Sequence, residues 1–177
     1  MRFLFLYRHG FYDESTGKLN EPGIKQANDV AKVITSFYNQ SLPWQLGAGS
    51  PLGVYSTSEI RAVEFADIIE KKLDKTNSKV ILRYKPGMDT ESAGAADFFK
   101  YYSQTKDSVN GGIFVGHKPQ LRTILNKFID EDQFELIEGL EHPQFSYAEG
   151  CLLDLEERLV FNPDYNFENF IFPKYRT

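Results

Sequence analysis

Two of the three histidines in this chain, His9 and His117, stand just beyond short apolar runs, Phe3-Leu4-Phe5-Leu6-Tyr7 and Ile113-Phe114-Val115. Arg8 adjoins the first histidine, and Arg61 lies beyond a third run, Leu52 to Tyr55, across Ser56-Thr57-Ser58. A guanidinium and an imidazole at a strand end are poor choices for packing, because each needs a polar partner or water. Either histidine alone reads equally well as a hydrogen-bonded structural residue. Two in equivalent places, accompanied by arginines, point to chemistry instead. The planar fork of arginine binds phosphate oxygens in pairs and keeps its charge, while a neutral imidazole nitrogen is a competent nucleophile toward phosphorus. One histidine would attack while the arginines and the other histidine neutralise charge on the equatorial oxygens, so the set suits phosphoryl transfer. No Walker A loop and no GxGxxG occurs, which leaves nucleotide-dependent kinase and dinucleotide chemistry without support.

These groups act together only if the fold brings three loops to one place, and the pattern of elements predicts that it does. Phe3 to Tyr7 is apolar throughout and too short for a helix, the mark of a strand buried on both faces of a parallel sheet. Glu21 to about Gln40 spaces Ile24, Ala27, Ala31, Ile34 and Phe37 by threes and fours, with Pro22 acceptable in the first turn, and predicts an amphipathic helix. Leu52 to Tyr55 predicts a strand, Glu59 to about Leu73 a helix, Val80 to Tyr84 a strand, and Ala95 to Tyr102 a helix. Gly111-Gly112 opens a further strand through Val115, and Pro119 to about Ile129 a helix. Gln144 to Ala148, Cys151 to Leu155 and Arg158 to Phe161 predict shorter strands, the last two joined at Glu156-Glu157 as a hairpin. This alternation predicts a three-layer α/β/α sandwich with a mostly parallel central sheet, forming a single compact domain over residues 1–177. In open sheets of this kind the site lies beyond the carboxyl ends of the strands, where Arg8-His9, Ser56 to Arg61 and Gly116-His117 would converge.

Composition narrows the partners. The 177 residues are 41% hydrophobic and 25% charged, as in an ordinary globular protein, with a net charge of −5. An acidic chain, of pI about 5.3, is not expected to present the broad cationic face that holds nucleic acid, so an anion would be held by a few aimed groups. The single cysteine, Cys151, forms no internal disulfide and fits a reducing compartment. The apolar run after Met1-Arg2 stops at Arg8-His9, too short for a signal peptide, and no run approaches the ~18 residues of a membrane span. A cytoplasmic protein without membrane or nucleic-acid partners is the expectation.

The string Leu6-Tyr7-Arg8-His9-Gly10 resembles the Arg-His-Gly signature of the histidine phosphatase superfamily, also called phosphoglycerate mutase-like. Three further blocks follow in that family's order. Leu19-Asn20-Glu21-Pro22-Gly23-Ile24-Lys25-Gln26-Ala27 resembles its Leu-Thr-x-x-Gly-x-x-Gln-Ala helix start, and Tyr55-Ser56-Thr57-Ser58-Glu59-Ile60-Arg61-Ala62 its Ser-x-x-x-Arg-Ala block. Phe114-Val115-Gly116-His117-Lys118-Pro119 resembles its Val-Gly-His-x-Pro block. A three-letter match alone carries little weight, but four ordered blocks from Leu4 to Pro119 carry much more. The chain is close to the family's minimal core, without the added segments of mutases and larger phosphatases, and looks like the small SixA-type phosphohistidine phosphatases.

The resemblance implies a phosphatase that hydrolyses a phosphomonoester or a protein phosphohistidine, without metal or cofactor. It implies that His9 becomes phosphohistidine, with Arg8, Arg61 and His117 completing the phosphate pocket. The family also uses a carboxylic acid to protonate the leaving group; Glu91 follows the third strand at a suitable distance, with Asp89, Asp13 and Glu14 as competitors. Asn20 stands where the family often has threonine, and either touches the phosphate or caps the following helix. Ser58 replaces a usual proline and Phe65 a usual threonine. Phe11-Tyr12 replace small or acidic residues and either line the substrate entrance, favouring an aromatic or peptide-like leaving group, or pack beneath a loop. The expected partner is a phosphorylated small molecule or a phosphohistidine-bearing protein. A competing reading is a phosphate-site binding module without turnover, against which an intact His9 argues. A zinc site from His9, His117, His142 and Cys151 matches no local spacing, and arginine beside a ligand would repel the cation. His142, before Pro143, reads as a surface residue, and the aromatic segment from Phe161 to Tyr175 as a tail that closes over the core or docks a partner.

Overall fold

The computed structural model describes residues 1–41, 51–74, 80–84, 91–137 and 143–162 of the chain. Asp89, His142 and the tail beyond residue 162 lie outside the described residues. Strands β1 (Phe3–Arg8), β2 (Leu52–Ser56), β3 (Val80–Tyr84) and β4 (Gly111–Gly116) alternate with helices α1 (Glu21–Ser41), α2 (Ile60–Asp74), α3 (Glu91–Thr105) and α4 (Lys118–Asp130). Strands β5 (Glu135–Leu136), β6 (Gly150–Asp154) and β7 (Leu159–Phe161) complete a seven-stranded sheet in the order β3-β2-β4-β1-β6-β7-β5. The pairs β3–β2, β2–β4 and β4–β1 are parallel, and β6 runs antiparallel to both β1 and β7.

Side chains of a strand alternate between the two faces of its sheet, so a strand covered on both sides is apolar at every position. In β1, Phe3, Phe5 and Tyr7 pack with Ile34 and Phe37 of α1 and with Phe65 and Ile69 of α2. Leu4 and Leu6 pack on the opposite face with Phe98 of α3 and with Leu121, Ile124 and Leu125 of α4. Phe37 meets Phe3 and Phe5 edge-on, with ring centroids 5.1 and 5.2 Å apart. Helices thus cover both faces, as the three-layer expectation requires. One residue of the predicted α1 face departs from it. Ile24 is 45% exposed, and Val30 and Tyr38 complete the buried face in its stead.

What matters for chemistry is the register at the carboxyl ends. Arg8 lies level with Gly116, and Ser56 with Val115, so the chain leaves β1, β2 and β4 at one height and three loops open onto one crevice. The loop after β1 is fixed to α1: the Gln26 side chain accepts from the Phe11 N–H at 2.9 Å, and the Asn20 N–H donates to the Phe11 carbonyl at 3.2 Å. Close approach sets the glycines here. A Cβ on Gly23 would overlap the Phe11 carbonyl oxygen, and one on Gly10 would stand 2.9 Å from both Gln26 Oε1 and the Gly23 carbonyl.

The strand expected over Gln144 to Ala148 is a loop instead. Phe145 and Ala148 have φ of 51° and 59°, outside the extended region. The Glu149 carboxylate accepts from the Gln144 and Ser146 N–H groups at 2.9 and 2.6 Å, pulling the segment into a turn. The hairpin at Glu156-Glu157 is present, its turn held by Asp154 Oδ1 accepting from both amides at 3.0 and 3.1 Å. Strand β5 escapes sequence reading because two residues carry no periodicity.

Candidate active site

His9 is the first residue beyond β1 and is 1% exposed. Its backbone ties the crevice together: its N–H donates to the Gly116 carbonyl at 3.2 Å, and its carbonyl accepts from the Ala148 N–H at 3.1 Å. Nδ1 lies 2.8 Å from the Gly10 carbonyl oxygen. A carbonyl only accepts, so Nδ1 carries the proton and the Nε2 lone pair is free to point outward. Arg61 Nε donates to that Nε2 at 3.1 Å, which agrees with the same tautomer.

Burial lowers the His9 pKa from 6.5 to about 3; the positive surroundings of His117, Arg61 and Arg8 push the same way, against the Gly10 hydrogen bond. The imidazole is therefore neutral at physiological pH. Between about 3 and 6.5 the unfolded chain binds a proton that folded His9 refuses, so stability falls as pH is lowered through that window. We expect His9→Gln to flatten this part of the pH dependence of the urea midpoint; a profile as steep as that of the wild type would contradict the burial of a neutral imidazole.

His117 faces His9 with ring centroids 4.7 Å apart. It caps α4, its N–H donating to Gln120 Oε1 at 3.1 Å. Its Nδ1 lies 3.3 Å from Thr57 Oγ1 and 3.6 Å from Glu59 Oε2. Burial lowers its pKa, Glu59 acts to raise it, and Arg61 and Arg8 lower it further. Arg8 donates from Nη1 to the Phe145 carbonyl at 3.1 Å, so the turn misread as a strand holds an arginine of the site. Among the described residues, Arg8 Nε and His117 Nε2 are buried without a hydrogen-bond partner. A tetrahedral oxyanion would satisfy both, and two guanidinium groups beside it would balance its charge.

Neither a protein-family model nor a curated protein sequence matches the chain. Solved structures do match. The protein histidine phosphatase SixA complexed with tungstate aligns over 91% of this chain and 97% of its own, with a TM-score of 0.59 and 16% identity. A phosphoglycerate mutase from Plasmodium falciparum aligns over 90% of this chain and 87% of its own, at 0.55 and 20%. The ecdysone phosphate phosphatase from Bombix mori, also in complex with tungstate, aligns over 97% of this chain and 100% of its own, at 0.59 and 14%. The chain has the histidine phosphatase fold.

On this histidine phosphatase fold, Arg8, His9, Arg61 and His117 come together as their spacing predicts. Asn20 uses its side-chain oxygen to cap α1, accepting from the Gly23 N–H at 3.0 Å. Asp13 is exposed and accepts from the N–H and hydroxyl of Ser15, bonds that lower its pKa and keep it an anion rather than a proton donor. Glu14 is likewise exposed. Glu91 opens α3 directly after the segment that follows β3. Two contributors escape sequence reasoning. Glu59 falls on an unspecified position of the Ser-x-x-x-Arg block, and its only signal is a carboxylate two residues before Arg61. Tyr147 lies in the turn, where its ring covers the Arg8 guanidinium at 3.9 Å. Among the described residues, no helix is long and apolar enough to cross a membrane.

Proposed function

We propose that this chain is a phosphatase that hydrolyses a phosphomonoester or a protein-borne phosphohistidine through a covalent phosphohistidine on His9. The observation that carries this reading is the buried, neutral His9, its Nδ1 proton held by Gly10 and its Nε2 turned to Arg61. The tungstate, a tetrahedral oxyanion, in two solved structures of this fold supports the same kind of ligand.

As a phosphoryl group enters, its oxygens take up the N–H groups of Arg8 and Arg61. The Nε2 lone pair, released from Arg61, then attacks phosphorus in line. The arginines and protonated His117 hold the equatorial oxygens. The bound dianion and Glu59 together draw a proton onto His117, against the lowering by burial and the arginines, and Glu91 donates a proton to the departing oxygen. Water then attacks the phosphohistidine with the Glu91 carboxylate as base. No step of this sequence uses a metal. An imidazole leaving group needs less acid catalysis, so a phosphohistidine substrate depends least on Glu91. The lone Cys151, a buried free thiol, fits a reducing cytoplasm.

The two carboxylates separate by experiment. Glu91→Gln is expected to slow alkyl phosphates roughly 100-fold and aryl phosphates much less, because only the poor leaving group needs the proton. Glu59→Gln is expected to slow both alike and to move the basic limb of kcat/KM to lower pH, since His117 then loses its proton more easily. If the selectivity appears in the Glu59 variant instead, the roles are exchanged.

The function itself is tested by assaying the chain, with chelator present, on a phosphohistidine-bearing carrier protein and a panel of phosphate esters. Hydrolysis of the carrier identifies a protein phosphohistidine phosphatase, and ester turnover alone a small-molecule phosphatase. Orthophosphate binding without any turnover would replace the enzyme by a binding module.

A further inference from the structure

Three aromatic rings border the pocket, two from the loop after β1 and one from the turn before β6. Tyr12 lies 5.5 Å from His9 between ring centroids, and Tyr147 lies 5.7 Å from it. The Arg61 guanidinium carbon lies over the Tyr12 ring, 4.4 Å from its centre, and that of Arg8 over the Tyr147 ring at 3.9 Å. Cation–π attraction of this kind holds each guanidinium beside the pocket without using up a hydrogen-bond donor. Phe11 extends the row, 4.7 Å from Tyr147, and is 45% exposed.

The rings are held from below. Tyr12 pairs with Leu19 in an isolated antiparallel bridge, and both backbone polar groups of Phe11 are hydrogen-bonded to the start of α1. Tyr147 stands between Ser146, fixed by Glu149, and Ala148, fixed by the His9 carbonyl. A large apolar ring fixed at the rim of a polar pocket has little reason to stay exposed unless something flat covers it.

We propose that Phe11, Tyr12 and Tyr147 form an aromatic wall for the leaving group, selecting substrates whose phosphoryl group is carried on or beside a flat ring. This rests on the phosphatase reading and names the substrate class of the same site. In-line attack from His9 directs the leaving group out of the pocket, past these rings. Each ring contact adds an edge-to-face or offset stacking interaction that a saturated group cannot make.

The test compares benzyl phosphate with cyclohexylmethyl phosphate, whose alcohols are of similar acidity, so that the ratio of kcat/KM reports ring recognition and not leaving-group chemistry. The wild type is expected to prefer the benzyl ester about three- to tenfold. Phe11→Leu, which removes one ring of the wall, is expected to bring the ratio toward unity through a larger fall for the benzyl ester than for the saturated one. The corresponding benzyl and cyclohexylmethyl phosphonates, measured by calorimetry, give the same comparison without turnover. A ring preference in phosphonate binding without hydrolysis would uphold the wall and overturn the enzyme reading. Equal handling of the two ring types by the wild type, or a preference that survives in Phe11→Leu combined with Tyr147→Leu, would overturn the wall.

Discussion

Replacing His9 by alanine is expected to reduce hydrolysis of every substrate to background, a fall on the order of 10⁴-fold or more. Among the described residues, His9 is the histidine whose Nε2 meets an arginine N–H while its Nδ1 is fixed on a carbonyl. His117 is not expected to substitute for it: its Nδ1 is turned to Thr57 and Glu59, and under the proposed mechanism its Nε2 meets the phosphoryl oxygens. The variant keeps Arg8, Arg61 and His117, so orthophosphate is expected to bind it still. Retained binding with lost turnover separates loss of the nucleophile from collapse of the site. Activity within tenfold of the wild type would show that phosphorus is attacked by another group.

The second large effect is expected at Arg61. Its Nε–H meets the His9 lone pair at 3.1 Å and its guanidinium carbon lies 4.4 Å from the centre of the Tyr12 ring, so under the proposed mechanism one side chain would orient the nucleophile and carry charge to the transition state. Arg61→Ala is expected to lower kcat/KM on the order of 10³-fold, in the range seen when a preorganised donor to a developing anion is removed together with its charge. Arg61→Lys restores the charge as a point on a flexible stem, without the planar fork or the ring contact, and is expected to recover tenfold at most. Recovery to within threefold of the wild type by lysine would reduce the role of Arg61 to charge alone.

The central strands were legible because burial on both faces leaves no room for polar residues, and Phe3 to Tyr7 and Ile113 to Val115 show that rule without interruption. The site residues were legible for the opposite reason: arginine and histidine at the ends of such strands have no packing role to hide behind. The register that levels Arg8 with Gly116 then delivers them to one crevice. What escaped depends on side-chain contacts that periodicity does not record. Glu149 bends 144–148 into a turn by accepting from two amides, and nothing in the alternation of that segment announces the bend. Tyr147 becomes part of the site only through that turn. Glu59 reaches His117 across 58 positions of chain only because β2 and β4 are neighbours. Ile24 matched the helical period of α1 and still faces outward.

The most direct test of the account is to mix the protein with a substrate carrying a labelled phosphoryl group, quench in alkali within one turnover, and map the label. Phosphohistidine survives alkali and is lost in acid, which distinguishes it from esters of serine and threonine. The account predicts one alkali-stable, acid-labile phosphoryl group on the peptide that contains His9, absent from His9→Ala. Turnover with no phosphorylated protein, or a label on His117 or any other residue, would contradict it.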